Sequence, residues 1–267
     1  MDTFLSSIKE QKQIISLGAG SDTRYFRLKR EKKHTNFFYH ELDFEENNKT
    51  KINRLQTAQC VQKVKDLCDV DLKAFKTTNG EMWSPEYSIH AIDLRKPPEK
   101  PEWLETTIPT LLVSECCLIY LSPDKADAVL TYFSGLFTSA PLSVVIYEPF
   151  RPYDPFGRTM IKNLTTRGIV LQTIEKYSDL DQQQHRLGDH GFSARVADTS
   201  FIWQKWIAQE EKDRVDKLEW LDEVEEFELL ARHYCVSWAW RHFAETTGWQ
   251  NLLAQSTFSE AGTSSKA

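Results

Sequence analysis

The stretch from Ile14 to Phe26 reads IISLGAGSDTRYF. A short apolar run passes directly into Gly18-Ala19-Gly20, then into Ser21-Asp22-Thr23 ahead of a helix-like segment. That is a buried strand turning sharply into a loop that must run close to a ligand. Glycine suits such a loop because it accepts positive φ and has no side chain to hold a bound molecule away. Gly-x-Gly turns are common in α/β proteins, so this one gains meaning from what recurs later. FFYHELDF ends around Asp43, SIHAIDL ends at Asp93 and TLLVSE ends at Glu115. Apolar runs that end in acids around a glycine turn describe the ligand edge of a doubly wound sheet.

Strand and helix patterns alternate through the first 150 residues, which predicts a mainly parallel sheet. Strands are expected at 14–17, 37–42, 88–92, 110–114 and 142–147, with helices at 24–32, 45–67 and 122–137. Phe4, Leu5 and Ile8 share one face of a short leading helix, and Thr77-Thr78-Asn79-Gly80 marks a turn. Pro97, Pro98, Pro101 and Pro109 predict an irregular surface connection. Later helices are expected at 156–167, 178–189, 198–209 and 221–232, with strands at 191–197 and 234–240. The expected fold class is therefore α/β: a doubly wound, mainly parallel seven-stranded sheet with an antiparallel edge strand near the C-terminus. Residues 1–255 read as a single domain and 256–267, small and polar, as a mobile tail.

A net charge of −6 argues against general nucleic-acid binding. One local run, Arg24 to Lys33 (RYFRLKREKK), goes the other way. It reads either as the solvated face of the first helix and its following loop or as a docking patch for an acidic partner. No apolar run approaches the ~20 residues needed to span a bilayer, and the start lacks the apolar core of a signal peptide. A soluble, cytoplasmic protein is expected. The five cysteines form no CxxC pair, which suits a reducing compartment, and the seven histidines include no HExxH. No metal site is expected.

A dinucleotide-binding loop prefers Gly-x-Gly-x-x-Gly, but the third position here is Thr23. Asp43 lies 25 residues beyond Gly18, near the spacing of a carboxylate that grips ribose hydroxyls. An adenosine-bearing cofactor without a pyrophosphate fits best, and S-adenosylmethionine is the obvious candidate. A tight βα turn at Gly18 and an ordinary strand-end acid at Asp43 stay open as readings at this point.

The strings LGAGSDTRYFRL, ELDF, AIDLR, PTLLVSECCLIYLSPDKA and LEWLDEVEEFELLARHYCVSWA resemble the leucine carboxyl methyltransferases, in order, from about Ile14 to Ala239. The resemblance implies a class I methyltransferase fold. It also implies esterification of the C-terminal leucine carboxylate of the type 2A protein phosphatase catalytic subunit. On this resemblance Gly18 lies under the methionine portion of S-adenosylmethionine and Asp43 holds the ribose diol. Asp93 and Leu94 cradle the adenine, and Glu115 lies against the methionine end. Tyr120, Tyr147 and the stretch with Asp154, Phe156 and Gly157 become acceptor-side candidates. No catalytic acid or base is implied, and a monomer is expected.

That chemistry agrees with the residues. A peptide α-carboxylate, with a pKa of roughly 3.3–3.7, is already ionised at neutral pH. In-line displacement then needs alignment rather than a general base, and S-adenosylhomocysteine is the product. Relatives carry a longer segment before the first strand, forming a helical lid with an arginine for the cofactor's carboxylate. Here 17 residues precede Gly18, with Lys9 and Lys12 the basic ones. This leads to the expectation of a chain that folds but turns over slowly. Two other readings remain: a non-catalytic phosphatase-binding module, and a related carboxyl methyltransferase that modifies tRNA.

Overall fold

The computed structural model describes residues 1–218 and 223–243, together with Gly248, Leu252 and Ala254. The expected mobile tail at 256–267 and the first residues of the helix expected at 221–232 lie outside the described residues. The chain begins with α1 (Asp2–Ser7), β1 (Lys12–Leu17), α2 (Arg24–Glu31), β2 (Phe37–Asp43), α3 (Glu45–Leu55) and α4 (Ala58–Cys68). A small hairpin follows, β3 (Lys76–Thr78) and β4 (Glu81–Trp83), then β5 (Tyr87–Ala91) and β6 (Thr110–Glu115). Next come α5 (Pro123–Leu136), β7 (Leu142–Pro149), α6 (Pro155–Thr166), α7 (Leu180–Gly188) and β8 (Ser193–Asp198). The last elements are α8 (Thr199–Lys205), α9 (Gln209–Asp216), α10 (Val224–Ala231) and β9 (Tyr234–Arg241).

The sheet order is β3-β4-β5-β2-β1-β6-β7-β9-β8. All six residues of β1 are buried, as a strand covered on both faces requires. Alternate side chains supply the two cores. Ile14 and Leu111 pack with Tyr25, Tyr39 and Tyr87 beside α2 and α4. Ile15 and Leu112 pack with Leu130, Phe133 and Leu187 beside α5 and α7. β1 pairs in parallel with both β2 and β6, so the strand order reverses at its C-terminal end. A crevice opens at such a reversal, beyond the carboxyl ends of the strands.

The α/β class and the parallel centre are as expected, and three details differ. The sheet has nine strands, because the Asn79-Gly80 turn closes a hairpin whose strands of three residues are too short for a periodic signal. The expected antiparallel last strand is β9, but it lies one place inside the edge, between β7 and β8. The helix expected over 45–67 is two helices. Thr57 caps the second by accepting from the Cys60 N–H at 3.3 Å. Similarly, the helix expected at 198–209 divides into α8 and α9.

Among the described residues no helix is long and apolar enough to cross a membrane. Two buried polar groups tie the layers together. Asn48 on α3 donates to the Gly80 and His90 carbonyls, at 3.1 and 3.0 Å, and so fixes the helix that follows Asp43. Arg186 on α7 pairs with Glu148 on β7, both fully buried, and its guanidinium lies 4.3 Å from the Tyr177 ring centre.

Candidate cofactor cleft

Gly18 and Gly20 both have positive φ, +60° and +49°, so the loop after β1 takes a path that side chains resist. A Cβ at Gly18 would come within 2.5 Å of Cys117 Sγ, because the loop after β6 presses directly on this backbone. The Gly18 N–H donates to the Leu42 carbonyl at 2.8 Å, extending the β1–β2 pairing into the turn. The Gly20 N–H donates to Asp43 Oδ2 at 2.7 Å. Asp43 Oδ1 accepts from the Phe44 N–H and from Asn47 Nδ2, at 2.7 and 2.8 Å. Asp43 is thus a buried carboxylate that clamps the glycine loop. With two donors on Oδ1 and one on Oδ2, a carboxylate's roughly four acceptor positions leave about one, on Oδ2, for a further donor.

Two adjoining cavities meet at Gly18. One, of about 210 Å³, is lined by Phe44, Ile92, Leu94, Cys117, Tyr120 and Leu121, with Asp43, Asn47 and Asp93 on its walls. The other, of about 350 Å³, is polar and runs past Ser16, Ser21, Thr23 and Arg24 to Glu115. Their make-up differs as the two ends of an adenosine-bearing amino acid differ. The first is mainly apolar with the two carboxylates of Asp43 and Asp93, and the second carries charges of both signs.

Glu115, at the end of β6, forms an ion pair with Arg24 across the polar cavity. Arg24 Nη1 also lies 2.9 Å from Asp22 Oδ2. Burial acts to raise the pKa of Asp22, but hydrogen bonds from Arg24 and Tyr39 outweigh it and hold the carboxyl below its usual range. Asp93 is gripped by its neighbour. Arg95 Nε and Nη2 each lie 2.8 Å from one of its oxygens, and this holds the carboxyl down to about 2. Burial pushes Cys116 up to about 11 and Cys117 up to about 12, so both stay thiols at neutral pH.

Of the expected site residues, Gly18, Asp43, Asp93, Leu94 and Tyr120 gather around the apolar cavity, and Gly18 and Glu115 around the polar one. Tyr147 lines neither. It pairs with Glu115 on the neighbouring strand and stacks on Tyr234, ring centres 5.4 Å apart. Asp154 caps α6 through the Gly157 N–H at 2.7 Å and contacts His233, and Phe156 packs on that histidine. Phe44, Asn47 and Arg24 were not foreseen in the cleft. Phe44 and Asn47 carry a weak signal, standing next to Asp43 and one helical turn beyond it. Arg24 opened the basic run that reads as a solvated face, and the structure corrects that reading by turning it into the polar cavity.

A sequence model of the leucine carboxyl methyltransferases matches residues 1–134. Leucine carboxyl methyltransferase 1 of Emericella nidulans is 47% identical over 92% of this chain and 70% of that protein. The Schizosaccharomyces pombe protein of the same name is 36% identical over 96% of this chain and 80% of that protein. An O-methyltransferase family protein of Burkholderia thailandensis shares the fold at 11% identity, with a TM-score of 0.51 over 92% of this chain and 54% of that one. The chain spans about half the length of that structure. With the glycine turn, the strand-end acids and these likenesses in agreement, the chain belongs to the leucine carboxyl methyltransferase family and is a methyltransferase.

Proposed function

We propose that the protein methylates the C-terminal leucine carboxylate of the type 2A protein phosphatase catalytic subunit, acting as a cytoplasmic monomer. The observation that carries the reading is the pair of cavities meeting at Gly18, one built for a nucleoside and one for an amino-acid zwitterion. As in its family, S-adenosylmethionine is the methyl donor, supplying a sulfonium-bound methyl group that an ionised carboxylate attacks. Asp43 would accept from a ribose hydroxyl, while Phe44, Leu94 and Leu121 flank the base. Arg24 would face the carboxylate of the methionine portion and Glu115 its ammonium, both as charge-assisted hydrogen bonds.

The chain has no proton to move. The cysteines beside Gly18 are held as thiols, and among the described residues no histidine lines either cavity. Its contribution is to align the acceptor and to exclude water. Tyr120, which lines the apolar cavity and is 43% exposed, would face the acceptor, with Tyr147, outside both cavities but paired with Glu115, behind it. Alignment of this kind supplies roughly 7–11 kcal/mol of barrier lowering in well-oriented reactions. The test is transfer of tritiated methyl to the phosphatase subunit and to a form lacking its last leucine. Alkali-labile label on the intact form alone is expected. Label on both, or label that survives alkali, refutes the reading.

A further inference from the structure

A groove of about 620 Å³ opens between α2, α3 and α4. Its floor carries Phe26, Leu55, Val64 and Leu67, and Leu67 is 49% exposed. Its rim carries Arg27, Arg30, Arg54 and Lys63, all exposed. Among the described residues none of these four has a carboxylate within ion-pair distance. Several cations around them do: Lys29 with Glu86, Lys49 with Glu45 and Lys65 with Asp69. Lys51, deeper in the groove, is bound to Glu41 and to the Asp22 carbonyl. The one acid in the lining, Asp22, already takes hydrogen bonds from Arg24 and Tyr39. A chain of net charge −6 therefore gathers four uncompensated positive charges around one apolar trough.

The groove is also continuous with the cleft. Ser21, Asp22, Thr23 and Arg27 line both it and the polar cavity, and Asn47 lines both it and the apolar one. Two of the six basic residues in the run at Arg24 to Lys33, Arg27 and Arg30, thereby acquire a purpose that the sequence left open.

We propose that this groove docks an acidic amphipathic segment of the protein substrate, holding the substrate while its C-terminal carboxylate enters the cleft. The proposal rests on the reading of the protein as a carboxyl methyltransferase acting on another protein. Charge complementarity selects the occupant. Apolar side chains at helical spacing fill the floor, and carboxylates between them meet the four free cations. A nucleic acid would satisfy the cations but leave Leu67 and Val64 uncovered.

The test is fluorescence anisotropy with a fluorescein-labelled peptide carrying leucines at helical spacing and glutamates between them. Binding is expected to weaken with salt and to fall roughly tenfold in R54E/K63E. It is expected to hold in K65E, whose lysine is already paired. Both variants change exposed side chains outside the cofactor cleft, so their affinity for S-adenosylhomocysteine should equal that of the parent, which also reports folding. Peptide binding that is absent, that R54E/K63E leaves unchanged, or that tRNA displaces more effectively than unlabelled peptide overturns the proposal. Failure of the parent to bind S-adenosylhomocysteine would instead count against the methyltransferase reading, and the two failures are read separately.

Discussion

Arg24→Gln separates the two ends of the cofactor cleft. The guanidinium spans Asp22 and Glu115 above the polar cavity, and its side chain is 26% exposed. A hydrogen bond to a charged group contributes about 1.5–3 kcal/mol, and partial exposure places this one at the lower end. Affinity for S-adenosylhomocysteine should therefore fall roughly tenfold. 5′-Methylthioadenosine has no amino-acid end and should bind the variant and the parent alike. Decarboxylated S-adenosylmethionine should bind the variant at least as well, because Glu115 loses its internal partner and becomes free for the ammonium. Isothermal titration of the three ligands against both proteins reads this out. Parallel losses for S-adenosylhomocysteine and 5′-methylthioadenosine would show that Arg24 merely supports the loop, and the assignment of the cavity's charged end would fall.

Asp43→Asn should weaken S-adenosylhomocysteine and 5′-methylthioadenosine together, roughly ten- to a hundredfold in the same titration, since it acts at the nucleoside end. Gly18→Ala should lower both ligand affinity and thermal stability, because its Cβ meets Cys117 Sγ at 2.5 Å and its φ is +60°. Adding Cys117→Gly should restore only the steric part. Glu148→Gln leaves buried Arg186 with only the longer contact to Asp127, at 3.8 Å, and should cost about 3 kcal/mol in urea unfolding, with E148Q/R186M losing less than E148Q alone. His40 and His90 lie 3.2 Å apart beside Trp103, and burial lowers them to about 4 and about 3. Both stay neutral in the folded protein where the unfolded chain protonates them, below about pH 6.5. Their contribution is present above that value and lost as pH falls toward 4, by about 1.4 kcal/mol per pH unit for each histidine. Urea unfolding across this range should show a shallower slope in H40N.

What the sequence made legible follows from where the chemistry sits. Gly18, Asp43, Asp93 and Glu115 stand at the ends of buried parallel strands, and apolar runs that stop abruptly are easily read. Their convergence on one crevice follows from parallel pairing alone. Arg24 was not legible, because a cation at a helix start in a basic run has the same pattern whether it faces solvent or a cavity. The distinction lies in Glu115 reaching it from 91 residues away. The division of 45–67 into α3 and α4 was hidden because Gln56-Thr57 contains neither glycine nor proline, and a threonine cap is a weak mark within a polar helix. The interior place of β9 was equally unreadable, since a strand's direction and neighbours are not written in its own residues.

That interior place bears on how the protein is made. The parallel half of the sheet is complete once Pro149 has been synthesised, yet β8 has no neighbour until Tyr234–Arg241 emerges and slots in beside β7. For some 84 residues of translation, from Phe150 to His233, the flank of β7 remains an open template of unpaired backbone groups. Ribosome-bound chains halted within that interval should recruit holdase chaperones, and release from them should coincide with the appearance of the β9 segment.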